Sequence, residues 1–459
     1  MKLNYKRTFL IGLAFLSISA FWQMYDNIIP LMLQNTFSLG ETVTGALMAG
    51  DNVLALFLLP IFGTLSDKVD TRFGKRIPFI VIGTMLAVTF LMLLPVADEA
   101  VNLTLFIVAL FAILVSMGLY RSPAVALMPD LTPNKLRSKG NAVINLMGAV
   151  GGVYTLIMIK VLVKGGDRPD YRPLFISLAA LMIGAVAVLV LTINERKVKA
   201  KVAAEEAAFE KESTAAKAGS SETAEAVVEE ITAEAPVQEA ETAKKEVDVP
   251  VKKNPMPKDV KRSMIFLLAS IFLWFTAYNA VTTAFSRYTK VVWHLEGGGF
   301  ADCLMVATVA AIISYIPIGN LASKEGRKKT ILLGIVLMSC CYFAAIFVGS
   351  YHGLINLAFA AIGIGWAAIN VNSYPMVVEM AKGCDIGKYT GTYYTFSMTA
   401  QIMTPVLSGF LLENVSYRTL FPYAFVFSAL AFITMSQVRH GDVRPDKKKS
   451  MLENFDVDD

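Results

Sequence analysis

The chain has 459 residues, 55% of them hydrophobic and 17% charged, with a formal net charge of +5 and a mean hydropathy of +0.54. A soluble domain carries about 25% charge, so this balance sets the chain apart from soluble enzymes and marks a polytopic membrane protein. No basic patch interleaved with aromatics stands outside the apolar runs, which argues against nucleic acid. The four cysteines (Cys303, Cys340, Cys341 and Cys384) and three scattered histidines give neither a C-x-x-C pair nor a metal-ligand spacing, and the cysteines read as packing thiols.

The first apolar run, 8–33, follows Lys2, Lys6 and Arg7. It exceeds the ~7–15 residues of a signal-peptide core and lacks a small-x-small cleavage site, so it reads as a first transmembrane helix. Backbone groups left unpaired in lipid cost several kcal/mol each, so a run of ~20 apolar residues crosses as a helix. Further spans are expected at 43–65, 77–97, 103–128, 141–163 and 173–193, then at 262–287, 300–321, 330–349, 353–378, 391–412 and 419–438. The insert between the two sets is rich in Ala, Glu and Lys and carries Pro236, Pro250, Pro255 and Pro257. It cannot bury a core and reads as a flexible or partly helical tether. The expected organisation is a six-helix bundle over 1–193, a cytoplasmic linker over 194–261, a second six-helix bundle over 262–440 and a polar tail over 441–459. The fold class is thus an all-α membrane protein of twelve transmembrane helices in two bundles.

A loop after the second span, Gly63-Thr-Leu-Ser-Asp67-Lys68 with Arg72, Gly74, Lys75 and Arg76, is echoed after the eighth by Gly319-Asn-Leu-Ala-Ser323-Lys324 with Gly326, Arg327, Lys328 and Lys329. Tyr25-Asp26-Asn27 in the first helix has a counterpart in Tyr278-Asn279 of the seventh, and Asp130 after the fourth in Glu379 after the tenth. These echoes point to a duplicated bundle whose halves rock against each other. Lys and Arg gather in the 2–3, 4–5, 8–9 and 10–11 loops and are missing from 34–42 and 98–102. The loop 164–172, with Lys164, Arg168 and Arg172, departs from this bias. The bias places both termini in the cytoplasm of a cell whose inner membrane the chain spans many times.

The run Ser66-Asp67-Lys68-Val69-Asp70-Thr71-Arg72-Phe73-Gly74-Lys75-Arg76-Ile77-Pro78 and the stretch Ser122-Pro123-Ala124-Val125-Ala126-Leu127-Met128-Pro129-Asp130-Leu131 resemble the major facilitator superfamily. More narrowly they are similar to its sucrose/proton symporter branch, related to the glycoside–pentoside–hexuronide:cation symporters. The branch usually has an Arg where this chain has Val125, and Arg121 stands one turn earlier; in the second loop Ser323 replaces the acid. The resemblance implies a secondary transporter that moves a sugar or glycoside with a cation, a proton foremost, by alternating access. It implies no cofactor, no metal and no catalysis.

Among the ionisable residues within the apolar spans, Asp26, deep in the first, Asp51 in the second and Arg121 in the fourth are the coupling candidates. Such a group costs at least ~2.5 kcal/mol in the membrane centre and must face the bundle interior or a wet cavity, where an acid suits reversible proton binding. By helical rise Asp26 stands ~27 Å from the inner end of its helix, Asp51 ~20 Å and Arg121 ~10 Å, so Asp51–Arg121 is the easier pair and Asp26–Arg121 an awkward one. Sugars need amide or carboxylate partners and flat aromatic faces. Trp22, Gln23, Asp26, Arg121, Asn279, Trp366, Asn370, Tyr374, Tyr394 and Gln401 are the cavity candidates, with Asp26, Asp51 and Arg121 for ion coupling. Asp67, Arg72, Gly74, Lys75, Arg76, Asp130, Arg327 and Glu379 are the gating candidates, Asp67 facing the N-terminus of the eleventh helix near Thr390 and Gly391 when the inner side closes. The glycine-rich stretch 383–391 lacks a P-loop spacing and a preceding strand, so no nucleotide is expected. The partners are then a small sugar or glycoside, a coupling cation and the bilayer. A drug or metabolite antiporter of the same fold is the alternative, and a non-transporting receptor or scaffold using the insert is a third reading.

Overall fold

The structure is a computed structural model that describes residues 3–133, 136–166, 168–208, 256–381 and 386–442. The body of the insert, residues 383–385 of the glycine-rich stretch with Cys384, and the end of the tail lie outside the described residues. Twelve helices among the described residues are long and apolar enough to cross a membrane. They are α1 (Tyr5–Asn35), α2 (Glu41–Lys68), α3 (Ile77–Glu99), α4 (Leu103–Asp130), α5 (Arg137–Leu162) and α6 (Arg172–Thr192), then α7 (Lys258–Val292), α8 (Ala301–Glu325), α9 (Arg327–Ile346), α10 (Ile355–Met380), α11 (Ile386–Asn414) and α12 (Leu420–Ser436). Each expected span falls on one of them to within a few residues.

The helix starts follow local chemistry. Asn4 accepts the Arg7 backbone N–H at 3.1 Å and Asn102 that of Leu105 at 3.0 Å. Each satisfies one of the donors that a first helical turn leaves unpaired. Pro78 and Pro173 sit in the first turns of α3 and α6, where a missing N–H does no harm. The start of the insert is itself helical over 195–208, and Glu195 and Val202 within it are buried. α7 begins at Lys258, inside the segment read as insert.

In the first half α1 packs on α5 and α6, and α3 on α4 and α6; in the second, α8 and α9 pack on α10, and α7 and α9 on α12. The halves meet along α2–α11, α5–α8 and α1–α7. Large apolar side chains such as Ile82, Val108, Leu191 and Phe347 are exposed, as expected where lipid replaces protein as the neighbour. Of the cysteines read as packing thiols, Cys303 is buried and Cys341 half-buried, whereas Cys340 is exposed on α9.

Candidate functional site

At one end of the bundle Arg76, the residue before α3, is nearly buried and gathers three partners. Its guanidinium donates to Asp130 Oδ2 at 3.0 Å, to Asp67 and to Ser66 Oγ. Behind it the Glu195 carboxylate accepts the backbone N–H groups of Lys75 at 2.8 Å, Arg76 at 2.9 Å and Ile77 at 3.0 Å. A carboxylate is at home there, since a helix N-terminus leaves donors unpaired and carries partial positive charge. Gly74 makes the approach possible: its φ is +114°, and a Cβ on it would stand 2.3 Å from Glu195 Oε2.

The second half repeats this arrangement. Gly326 has φ +97° and its Cβ would stand 2.6 Å from Asp442 Oδ1, which accepts the Lys328 N–H at 2.9 Å. Arg327 interacts electrostatically with Glu379, as Arg76 pairs with Asp130. Among the other gating candidates, Lys75 Nζ donates to the Asp67 carbonyl at 3.1 Å, and Arg72 is exposed, lying 4.7 Å from the Phe73 ring. Asp67 does not reach the start of α11 in this conformation; its side chain is 62% exposed and held by Arg76, while Thr390 Oγ1 meets the Tyr374 hydroxyl at 3.3 Å.

Midway along the helices three adjoining cavities lie between the halves. The central one, about 260 Å³, is bounded by Trp22, Asp26, Asp51, Asn52, Arg121, Asn279 and Gln401. A larger one, about 430 Å³, extends from it toward the basic loops and adds Gln23, Asn141, Asn145, Tyr315 and Tyr394. A third, about 210 Å³, lies on the other side of Asp26 against Asn27, Tyr278 and Tyr342. Asp26 and Arg121, which counting along straight helices keeps apart, border the same cavity. The helices run well beyond the hydrocarbon core, so axial counts from assumed ends misplace their middles. Asp51 interacts electrostatically with both Asp26 and Arg121, and the guanidinium lies 5.8 Å from the Trp22 ring. Two acids and one base carry one net negative charge when all are ionised, so one bound proton neutralises the set.

Trp366, Asn370 and Tyr374 do not border these three cavities. Trp366 stacks flat on Tyr278 at 3.7 Å, Asn370 is buried, and Tyr374 packs against Tyr393 and Tyr394. Their helical spacing marked a packed face, with Trp366 supporting the cavity wall through Tyr278.

The face away from the basic loops holds contacts that the sequence reading missed. Glu41 accepts from Arg287 Nε at 2.7 Å and from the Tyr417 hydroxyl at 2.5 Å. Glu413 accepts the Thr42 N–H at 2.8 Å, Lys160 pairs with Asp302 at 2.6 Å, and Lys290 donates to Asn35 at 2.5 Å. A Cβ on Gly45 would stand 2.0 Å from the Pro405 carbonyl oxygen. All of these join one half to the other, so the halves are clamped on this face. The available signal was the lone Arg287 at the end of an apolar span.

The family model of the Major Facilitator Superfamily matches residues 11–382 and 297–454. The chloramphenicol resistance protein CraA of Acinetobacter baumannii is 29% identical over 101 residues, 22% of this chain and 24% of that protein. The uncharacterized protein YqgE of Bacillus subtilis is 23% identical over 188 residues, 38% of this chain and 42% of that one. The chain thus spans less than half the length of either relative. Among solved structures, the peptide transporter POT in complex with sulfate superposes with a TM-score of 0.62 at 13% identity, covering 94% of this chain and 93% of the other. The transporter FucP in its outward conformation gives 0.53 at 16%, covering 95% and 100%. A bacterial homologue of the human lysosomal transporter Spinster, inward-facing and unoccupied, gives 0.62 at 11%, covering 95% and 98%. These likenesses are of fold, and with the match along the sequence they lead to one statement: the chain belongs to the Major Facilitator Superfamily, with the fold of a multi-pass membrane transporter.

Proposed function

We propose that this transporter is a sugar or glycoside:proton symporter of a bacterial cytoplasmic membrane, that it works by alternating access, and that its basic-loop face is cytoplasmic. The observation that carries the reading is the central cavity. Asp26, Asp51 and Arg121 converge there with Trp22 and the amides of Asn52, Asn279 and Gln401. Amides and carboxylates pair with sugar hydroxyls, an indole face takes the C–H side of a ring, and the odd negative charge supplies a coupling site for a proton. The resemblance of residues 66–78 and 122–131 to the sucrose/proton branch supports the same substrate class.

On this reading the conformation described here is closed outside and open to the cytoplasm. The Glu41–Arg287 pair is the outer lock. The inner lock forms when Asp67 meets the N-terminus of α11, where the helix dipole favours an anion. The test is uptake of a panel of radiolabelled sugars into proteoliposomes, with and without an imposed pH gradient. At least one sugar is expected to accumulate only with the gradient. The local likeness to a chloramphenicol resistance protein supports a second reading, a drug antiporter. Proton-driven extrusion of chloramphenicol, with no sugar accumulated, would establish it and remove the first.

A further inference from the structure

On α7, Asn279, Thr282, Ser286 and Lys290 follow one another at the spacing of a single helical face. Opposite them α1 carries Asp26, Asn27, Leu31 and Asn35. Two chambers lie along this seam. The inner one, about 210 Å³, touches Asp26, Asn27, Asn279 and Thr282, and Tyr342 of α9. The second, about 210 Å³, lies one helical turn further out and touches Leu31, Asn35, Ser286 and Lys290.

Four polar atoms at these chambers have no hydrogen-bond partner within the protein: Asn27 Oδ1, Asn279 Nδ2 and Tyr342 Oη at the inner one, Ser286 Oγ at the outer. Asn27 and Ser286 are 1% and 2% exposed and Tyr342 is fully buried. A buried polar group left unpaired costs ~1–3 kcal/mol, so all four call for a partner. Each chamber has room for several waters at ~30 Å³ apiece. A sugar ring in the central cavity could reach the inner chamber. It does not explain Ser286, which lies a turn beyond, on the same polar face.

We propose that the α1–α7 seam is a water-filled path that carries protons from the outer face to Asp26, separate from the sugar's route, with Leu31 as its dry stop in this conformation. The proposal rests on the proton-coupled reading above. Protons move by relay: each water or hydroxyl accepts one proton and passes one on, and the last arrives on the Asp26 carboxylate, so one proton is gained and no bond to carbon changes. Asp51 of α2 and Arg121 of α4 face Asp26 at the inner end. At the outer end stand Lys290, His294, Glu296 and Tyr171. Lys290 is tied through Asn35 to the Tyr171 hydroxyl at 2.5 and 3.3 Å. Leu31 is buried, lies ~6 Å along α1 from Asn27, and offers no hydrogen bond. It therefore interrupts the relay while the substrate cavity is open to the other side, which prevents a proton leak. Parting of α1 from α7 as the outer face opens would let water bridge it.

The test uses the full-length protein in proteoliposomes holding a pH-sensitive dye, with a potential imposed by potassium and valinomycin and no sugar present. Wild type and Leu31→Ile are expected to stay tight. Leu31→Ser is expected to leak protons at least tenfold faster, and adding Ser286→Val to return the leak towards wild type. Sugar exchange at equal pH reports that each variant is folded. A tight Leu31→Ser protein with normal exchange overturns the path. So does a Leu31→Ser/Ser286→Val protein that leaks as fast as Leu31→Ser while Ser286→Val alone changes sugar affinity, because Ser286 then serves the substrate. The leak assay contains no sugar, so its outcome stands apart from the symport reading, which fails if wild type shows exchange and no pH-driven uptake.

Discussion

Glu41 in the first turn of α2 and Arg287 near the end of α7 form an ion pair across the two halves at 2.7 Å, with side chains 3% and 4% exposed. Tyr417 holds the second carboxylate oxygen at 2.5 Å. A buried pair of this kind gains little net stability, because both charges have left water. Its effect is conditional: the two charges are satisfied together only while the halves are closed on this face.

Removing one partner should therefore open the face. A lone buried charge costs ~3–5 kcal/mol, which corresponds to at least a hundredfold in a conformational equilibrium. Arg287→Gln and Glu41→Gln are each expected to speed labelling of a cysteine introduced at Leu39 by a membrane-impermeant thiol reagent. The double variant Glu41→Gln/Arg287→Met, which leaves no unpaired charge, should return most of the way to wild type. Equal labelling rates in all four proteins would show that the pair does not hold the closure.

Gly45 predicts the same state change by shape alone. Its α-carbon faces the Pro405 carbonyl, and a Cβ would overlap that oxygen at 2.0 Å. Backbone on both sides cannot yield, so Gly45→Leu should keep α2 and α11 apart. The expected protein binds sugar in detergent with near-normal affinity but loses transport by more than tenfold. Unimpaired transport would mean that the α2–α11 contact is not needed for the cycle.

Much of this was readable from residue order. The twelve spans follow from apolar length, and the two basic loops from their repeated charges. Asp26, Asp51 and Arg121 stood out because charge inside an apolar helix demands a polar cavity. The Glu41–Arg287 contact was hidden because the two residues sit 246 positions apart, at span ends where single charges are ordinary. Glu195 and Asp442 were hidden too, since each looks like one more acid in a polar segment. Their role follows only from the backbone N–H groups that folding brings to them. Trp366 and Tyr374, which meet other aromatics and border none of the three cavities, show what spacing leaves open: it identifies a face, and what that face meets is decided by neighbouring helices.

The inner network can be tested for a gating role separate from binding. Arg76 joins Asp67, Asp130 and Ser66, and Glu195 fixes its backbone. Arg76→Ala and Asp67→Asn are expected to slow transport by tenfold or more while sugar affinity survives, because the network lies away from the cavity. Glu195→Ala removes a helix cap and should cost ~0.5–2 kcal/mol of stability. It should also slow transport less than Arg76→Ala does, since the Arg76 side chain keeps its partners. Parallel loss of binding in Asp67→Asn would assign the loop another task.

On the proposed symport reading, Asp26→Asn should separate coupling from movement. Asp26 borders both the central cavity and the inner chamber of the α1–α7 seam, and it interacts with Asp51. An amide keeps the size and hydrogen-bonding capacity of the neutral acid but can neither take up nor release a proton. Gradient-driven accumulation should therefore fall to background while sugar exchange between equilibrated compartments continues near the wild-type rate. Asp51→Asn should behave differently, because it removes an acid with which Arg121 interacts, and exchange is expected to fall together with accumulation. Continued uphill uptake by Asp26→Asn would move the proton site to Asp51. Loss of exchange in Asp26→Asn would instead make Asp26 a sugar ligand, and the pH dependence of sugar binding in the two variants would then tell which acid titrates.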